Sequence, residues 1–275
     1  MQPKSSPHLR IGMFDSGVGG LSVLQHVQKT LPNSSFVYFG DTARFPYGGK
    51  SPETISRYAL ENTIFLLEHN IDLLLIACNT ATCHSLSRLQ KTFSIPIFGI
   101  IQPAIEHVIK TTQNKRIGII GTKATIQSQI YQKTIAERLD GAHITACACP
   151  LFVSLVEEQI ASRQIIELVV KEYLAEITKA KIDTLLLACT HYPLLYDAIR
   201  KEVGDDIQIV NPAQMLAEAT KNHIEKSHPQ QKDALVSDRE VAFFVSDDPD
   251  RFLSIGEKFL GTKITNIQLV HPKIL

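Results

Sequence analysis

The sequence has no net charge: 28 lysines and arginines offset 28 aspartates and glutamates over 275 residues. That balance excludes a global surface for nucleic acid or an anionic membrane. Long apolar runs are missing too, and none approaches the roughly 20 residues that span a bilayer. The residues before Arg10 are polar, with proline and serine where a signal segment would be apolar. A cytoplasmic protein is expected. Cysteine is sparse and odd in number, at positions 78, 83, 147, 149 and 189, so free thiols are expected rather than a disulfide framework. The glycine-rich turn Asp15-Ser-Gly-Val-Gly-Gly20 lacks both the GxGxxG spacing and the lysine of a P-loop, which leaves a nucleotide site only weakly supported. It fits either a tight turn or a backbone cradle for a carboxylate.

Two strand-like segments carry the same short phrase. One runs Asp72-Leu-Leu-Leu-Ile-Ala-Cys78-Asn79-Thr80, the other Asp183-Thr-Leu-Leu-Leu-Ala-Cys189-Thr190-His191. Apolar runs of this length, bounded by polar residues, suit strands buried on both faces of a parallel sheet. Chemistry in open α/β sheets gathers just beyond the carboxyl ends of such strands, where both thiols fall. Other landmarks repeat in the same order. Arg10-Ile-Gly returns as Arg116-Ile-Gly, and a Pro-Ala pair follows each cysteine, at 103–104 and at 212–213. Two α/β halves of similar build are expected, their strand ends facing one shared cleft.

The remaining segments fit this frame. Strands are expected at 10–14, 35–39, 95–98, 116–120 and 241–245. Ser51-Pro52 opens a helix as cap and first residue, burying Ile55, Ala59 and Leu66. Asn79–Thr82 starts another, and a thiol at its N-terminus is expected to have its pKa lowered by the helix dipole. Cys83 and His84 are read as packing groups, and Cys147 and Cys149 as structural cysteines too closely spaced for a CxxC site. One helix is expected over 151–158 and another over 158–180, the latter with Ile165, Leu168, Val169 and Tyr173 at helical intervals. Pro193 suits a further helix start. Residues 222–239 read as a helix end and surface loop, and 251–260 as a last helix. The loop at Phe45-Pro46-Tyr47-Gly48-Gly49 offers an aromatic wall.

Two thiols around a cleft allow three chemistries. Cys189 could be a hydrolase nucleophile with His191 as base. The pair could cycle as a dithiol, provided the sulfurs come within bonding distance. Or one thiolate could take a proton from carbon while the other thiol returns one to the opposite face.

Together, Asp15-Ser-Gly-Val-Gly-Gly20, Pro46-Tyr-Gly48, Ala77-Cys-Asn-Thr-Ala81, Gly121-Thr122 with Thr125, and Ala188-Cys-Thr-His-Tyr-Pro193 resemble glutamate racemase. The likeness runs from about Arg10 to Leu260 and takes in Asp247-Asp-Pro249. It implies an enzyme that interconverts L- and D-glutamate without cofactor or metal, supplying D-glutamate for peptidoglycan. Aspartate racemase, or a thiol-dependent hydrolase or decarboxylase of the same superfamily, is the alternative. By the resemblance Cys78 and Cys189 are the two bases, assisted by Asp15 and His191 respectively, and Glu157 is the family's cleft glutamate, with Glu158 beside it as the competing register. Ser16, Pro46, Tyr47, Gly48, Asn79, Thr80, Thr122, Thr125 and Thr190, with Asp15 and His191, would hold the substrate. The implied architecture is α/β, with two similar domains built on mainly parallel sheets and the active site in the cleft between them. Residues 1–99 plus 211–275 would form the first domain and 100–210 the second. A homodimer is also implied, with no nucleic-acid or membrane partner. Three positions depart from the family's habit: Ser154 stands where proline is usual, Gln159 where glycine is common, and Gln102 where glutamate often precedes the Pro-Ala pair.

Overall fold

The computed structural model describes residues 9–227 and 241–272. The first strands are β1 (Arg10–Asp15), β2 (Ser35–Gly40), β3 (Leu73–Ile76) and β4 (Ile97–Gly99), and they lie side by side in the order β2-β1-β3-β4. The next four, β5 (Arg116–Gly121), β6 (His143–Ala148), β7 (Thr184–Ala188) and β8 (Gln208–Val210), form a second sheet in the order β6-β5-β7-β8. The two orders are the same pattern, with the opening strand flanked by its second and third partners. The chain then returns to the first sheet, adding β9 (Val241–Val245) beside β2 and β10 (Ile267–Leu269) outside it. Every pairing is parallel.

The doubled aspartates have a shared structural task. Asp72, ahead of β3, accepts the Arg10 backbone N–H at 2.7 Å. Asp183, ahead of β7, accepts the N–H groups of Gln113 and Asn114 at 2.6 Å each and the Thr112 hydroxyl at 2.8 Å. Each carboxylate thus ties its strand's start to the start of the neighbouring strand and satisfies donors that the ladder leaves free. These groups sit at the far end of the strands from the cysteines.

Helices connect the strands: α1 (Leu21–Thr30), α2 (Pro52–Leu67), α3 (Asn79–Thr92), α4 (Ile101–Thr111), α5 (Lys123–Ser128), α6 (Ile130–Arg138), α7 (Pro150–Glu157), α8 (Arg163–Lys179), α9 (Tyr196–Val203), α10 (Pro212–Ser227) and α11 (Pro249–Leu260). Alternation along the first sheet separates two cores. Ile11, Met13, Leu73 and Leu75 pack with Leu21, Leu24 and Val27 of α1, and that cluster runs on into Ile117, Ile119 and Leu185–Leu187 of the second sheet. Phe14, Val37, Phe39, Leu74 and Ile76 face Ile55, Ala59 and Leu66 of α2. Ser51 caps α2, accepting the Thr54 N–H, with Pro52 at its first position, as the sequence pattern requires.

Two expectations need correction, and a third is met as far as it can be followed. The helix read over 158–180 starts only at Arg163, capped by Ser162. Gln159 interrupts it with φ +49°, a left-handed conformation that favours glycine. Ile165 and Leu168 are exposed, at 50% and 69%, while Val170, Leu174 and Ile177 form the buried face. Pro193 sits in a 3₁₀ turn, Tyr192–Leu195, and α9 begins at Tyr196. Of the polar stretch 222–239, residues 222–227 continue α10, and the loop expected over 228–239 lies outside the described residues. Among the described residues, no helix is long and apolar enough to cross a membrane.

Candidate active site

The carboxyl ends of β1, β3, β5 and β7 deliver Asp15–Ser16, Cys78–Thr80, Thr122 and Cys189–His191 to one region. A cavity of about 370 Å³ opens there, lined by both Cys78 and Cys189. Ser16, Pro46, Tyr47, Gly48, Asn79, Thr80, Thr122, Glu157, Thr190 and His191 share the lining. Asp15 and Thr125, both wholly buried, sit behind that surface.

Cys78 caps α3, its sulfur accepting the Ala81 N–H at 3.4 Å and donating to Ser16 Oγ at 3.8 Å. The expected lowering of its pKa does not appear. Burial pushes the thiol upward, the nearby Asp15 carboxylate adds to this, and the Ala81 N–H offsets only part. Desolvation of a thiolate outweighs a single helix terminus. Asp15 does not hydrogen-bond to Cys78. Its carboxylate accepts the Gly17 N–H at 3.0 Å and the Thr190 hydroxyl at 3.4 Å. Burial raises the Asp15 pKa, and the His191 charge works against that rise.

Cys189 has different company. Its sulfur lies 3.9 Å from His191 Nδ1, and His191 Nε2 lies 2.7 Å from Glu157 Oε1. Burial by itself would lower the imidazole pKa, but hydrogen bonding and charge from Cys189 and Glu157 prevail and raise it to about 10. His191 is therefore an imidazolium at neutral pH, held between a sulfur and a carboxylate. Both adjacent glutamates line the cavity, but with different partners. Glu157 is buried against His191, whereas Glu158 is 62% exposed and pairs with Arg251 of α11 at 2.9 Å. The same arginine approaches Glu157 Oε2 at 3.7 Å.

Hydroxyls and an amide make up more of the lining and its backing. Thr80, Thr122 and Thr125 form a closed triangle, with Oγ1 separations of 2.8, 3.1 and 2.9 Å. Asn79 is buried, and its Nδ2 has no hydrogen-bond partner. Tyr47 supplies an aromatic wall as expected, but its hydroxyl turns away into a buried network, donating to Asp41 and accepting from Asn62 Nδ2 at 3.0 Å. Arg44 completes that network, meeting Asp41 at 2.8 Å and Asn62 at 2.8 Å.

Two glycines of the motifs permit contact between the sheets. A Cβ on Gly19 would stand 2.5 Å from His191 Nδ1 and from Thr190 Oγ1, and one on Gly48 would stand 2.7 Å from the Thr122 Cβ. The glycine-rich turn is thus a seat for the second sheet's strand ends.

Sequence reasoning had no signal for Lys123, Leu151 and Arg251 in the lining, or for Tyr131, whose hydroxyl reaches Asn79. Cys149 is buried and Cys147 half-buried, away from the cavity lining, and Cys83 accepts from the Ser128 hydroxyl at 3.3 Å. His84 lies beside the Ala124 carbonyl, 3.4 Å away. Among the described residues, no cluster of three histidine, cysteine or carboxylate groups is placed to hold a metal ion.

Comparison with known proteins places the chain in a family. The family model for Asp/Glu/Hydantoin racemase matches residues 12–220. The glutamate racemase of Geobacter metallireducens is 41% identical over 264 residues, covering 96% of this chain and 97% of that protein. Among solved structures, a glutamate racemase isoform from Bacillus anthracis superposes with a TM-score of 0.90 at 36% identity, covering 97% of this chain and 98% of the other. The Francisella tularensis glutamate racemase, solved with D-glutamate, gives 0.89 at 33% identity and the same coverage. The chain belongs to the Asp/Glu/Hydantoin racemase family, and within it to the glutamate racemases.

Proposed function

We propose that this chain interconverts L- and D-glutamate without a cofactor, by proton exchange at the α-carbon between two thiols. The observation that carries the reading is the pair Cys78 and Cys189 lining one cavity from equivalent strand ends. One sulfur, as thiolate, takes the α-proton, and the other, as thiol, gives a proton to the opposite face. Cys189 serves the L-enantiomer beside the His191 imidazolium, and Cys78 the D-enantiomer beside Ser16 and Asp15. Glu157 keeps His191 charged. Asn79, the threonine hydroxyls, Ser16, Thr190 and the Pro46–Gly48 loop hold the carboxylates and ammonium, so that only the α-proton is free to move.

The domains follow the two sheets. Residues 1–99 with 211–275 make the first and 100–210 the second, the substrate lying between them. The product feeds peptidoglycan synthesis in the cytoplasm, from an enzyme that works as a homodimer.

The test follows the α-proton of L-glutamate by NMR in D₂O, with chirality read from the same sample. Deuterium entering Cα together with D-glutamate supports the reading. Cys78→Ser and Cys189→Ser should each abolish racemisation. Activity on aspartate alone would keep the mechanism and sink the substrate, and full activity without either cysteine would sink the mechanism.

A further inference from the structure

Asn79 is the first residue of α3, in the first-sheet half of the molecule, and it is buried in the cavity wall. Its two amide atoms are treated differently. Oδ1 takes a hydrogen bond of 2.6 Å from the hydroxyl of Tyr131, a residue of α6 in the second-sheet half. Nδ2 takes none. A buried donor without a partner carries a desolvation penalty unless a ligand answers it, and Asn79 borders a cavity where a ligand can.

Which end of an amide faces a ligand is a matter of which hydrogen bond holds the other end. Tyr131 is wholly buried, and Asn79 is its hydroxyl's single hydrogen-bond partner among the described residues. A phenol with one partner donates its proton, since accepting instead would leave its O–H orphaned in a core. The donated proton needs Oδ1, so Nδ2 is left as the group offered to the cavity. We infer that Tyr131 is a positioning residue that fixes the Asn79 amide with its donor toward a substrate carboxylate. This inference rests on the proposed substrate-binding role of Asn79.

Without the phenol oxygen, Oδ1 would be an unsatisfied buried acceptor. The amide would turn to put Oδ1 in the wet cavity, where it repels a carboxylate, and substrate would have to turn it back. Tyr131→Phe should therefore raise KM for both enantiomers about tenfold, with kcat within about twofold. Asn79→Ala should raise KM by at least as much.

The deciding experiment is a double-mutant cycle on KM, with circular dichroism confirming the fold of each variant. In the Asn79→Ala background, adding Tyr131→Phe should change KM no further, because there is no amide left to orient. A merely structural hydrogen bond would instead lower the melting temperature, leave KM alone in Tyr131→Phe, and give independent effects in the double variant; that result overturns the inference. Should Asn79→Ala leave KM unchanged, the binding role of Asn79 fails, a separate failure from that of Tyr131. If Tyr131→Phe does not fold, Asn79→Asp decides. Tyr131 would hold one carboxylate oxygen and present the other to substrate, so KM should rise at least as far as in Asn79→Ala. An unchanged KM would show that the cavity-facing atom need not be a donor.

Discussion

Glu157→Gln keeps the shape of the side chain 2.7 Å from His191 Nε2 and removes its charge. In the native protein burial pulls the imidazole down, and Cys189 and Glu157 raise it to about 10. Exchanging a charge-assisted hydrogen bond for a neutral one gives up about 1–1.5 kcal/mol. Losing a unit charge about 4 Å away at an effective dielectric near 20 gives up as much as about 4 kcal/mol. Arg251, 3.7 Å from Glu157 Oε2, already cancels part of that charge. At about 1.4 kcal/mol per pH unit, the His191 pKa should fall by roughly one to three units, with Cys189 retaining the remainder of the rise.

The assay is kcat/KM followed by circular dichroism of glutamate in both directions across the alkaline range. On the proposed mechanism the basic limb tracks His191, so it should move from near pH 10 toward neutrality in the variant. L- and D-glutamate have equal free energies in water, so kcat/KM must match in the two directions at every pH; this provides an internal check. Stability should respond as well. A histidine with a raised native pKa contributes stability that is complete below its unfolded value of about 6.5 and is lost as pH rises through about 10. The wild-type advantage in melting temperature over Glu157→Gln should therefore shrink across that interval. A basic limb that stays in place, or moves to higher pH, would refute the reasoning.

Two further outcomes follow from the geometry. Gly19→Ala puts a Cβ 2.5 Å from His191 Nδ1 and Thr190 Oγ1, and such crowding typically costs about 1–3 kcal/mol. It should lower both the melting temperature and kcat, whereas alanine at Gly49, where nothing lies within 4 Å, should change neither. Asp183→Asn should destabilise the protein near neutral pH. Burial alone would raise the Asp183 pKa, but the Asn114 N–H and the other donors it accepts lower it instead. Its contribution is therefore present above the unfolded value of about 3.9 and is lost as pH falls through its lower native value. Thermal melts of the two proteins should converge in acid, and an undiminished gap there would contradict the assignment.

The doubled architecture was legible because buried parallel strands leave a strong trace: two apolar runs, each opened by aspartate and closed by cysteine. What those aspartates do was not legible, since nothing local says that Asp183 will collect the N–H groups of Gln113 and Asn114. The strands β6, β8 and β10 escaped notice because their residues are partly exposed or their runs only three residues long. The break between α7 and α8 hides in residues with ordinary helix propensity, and Gln159 occupies a left-handed conformation that its identity does not announce. The thiols and their neighbouring polar residues stood out as a motif. Tyr131 and Arg251 did not, for they reach the site from helices whose own patterns describe only how those helices pack.

Arg251 belongs to the helix that follows β9 of the first sheet, while Glu157 ends a helix of the second-sheet half. The carboxylate that charges His191 is thus also a fastening point across the rim of the cavity. Arg251 and His191 therefore share the Glu157 carboxylate, one at Oε2 and the other at Oε1. One carboxylate thus does two jobs, joining the two halves at the rim and holding the imidazole beside Cys189.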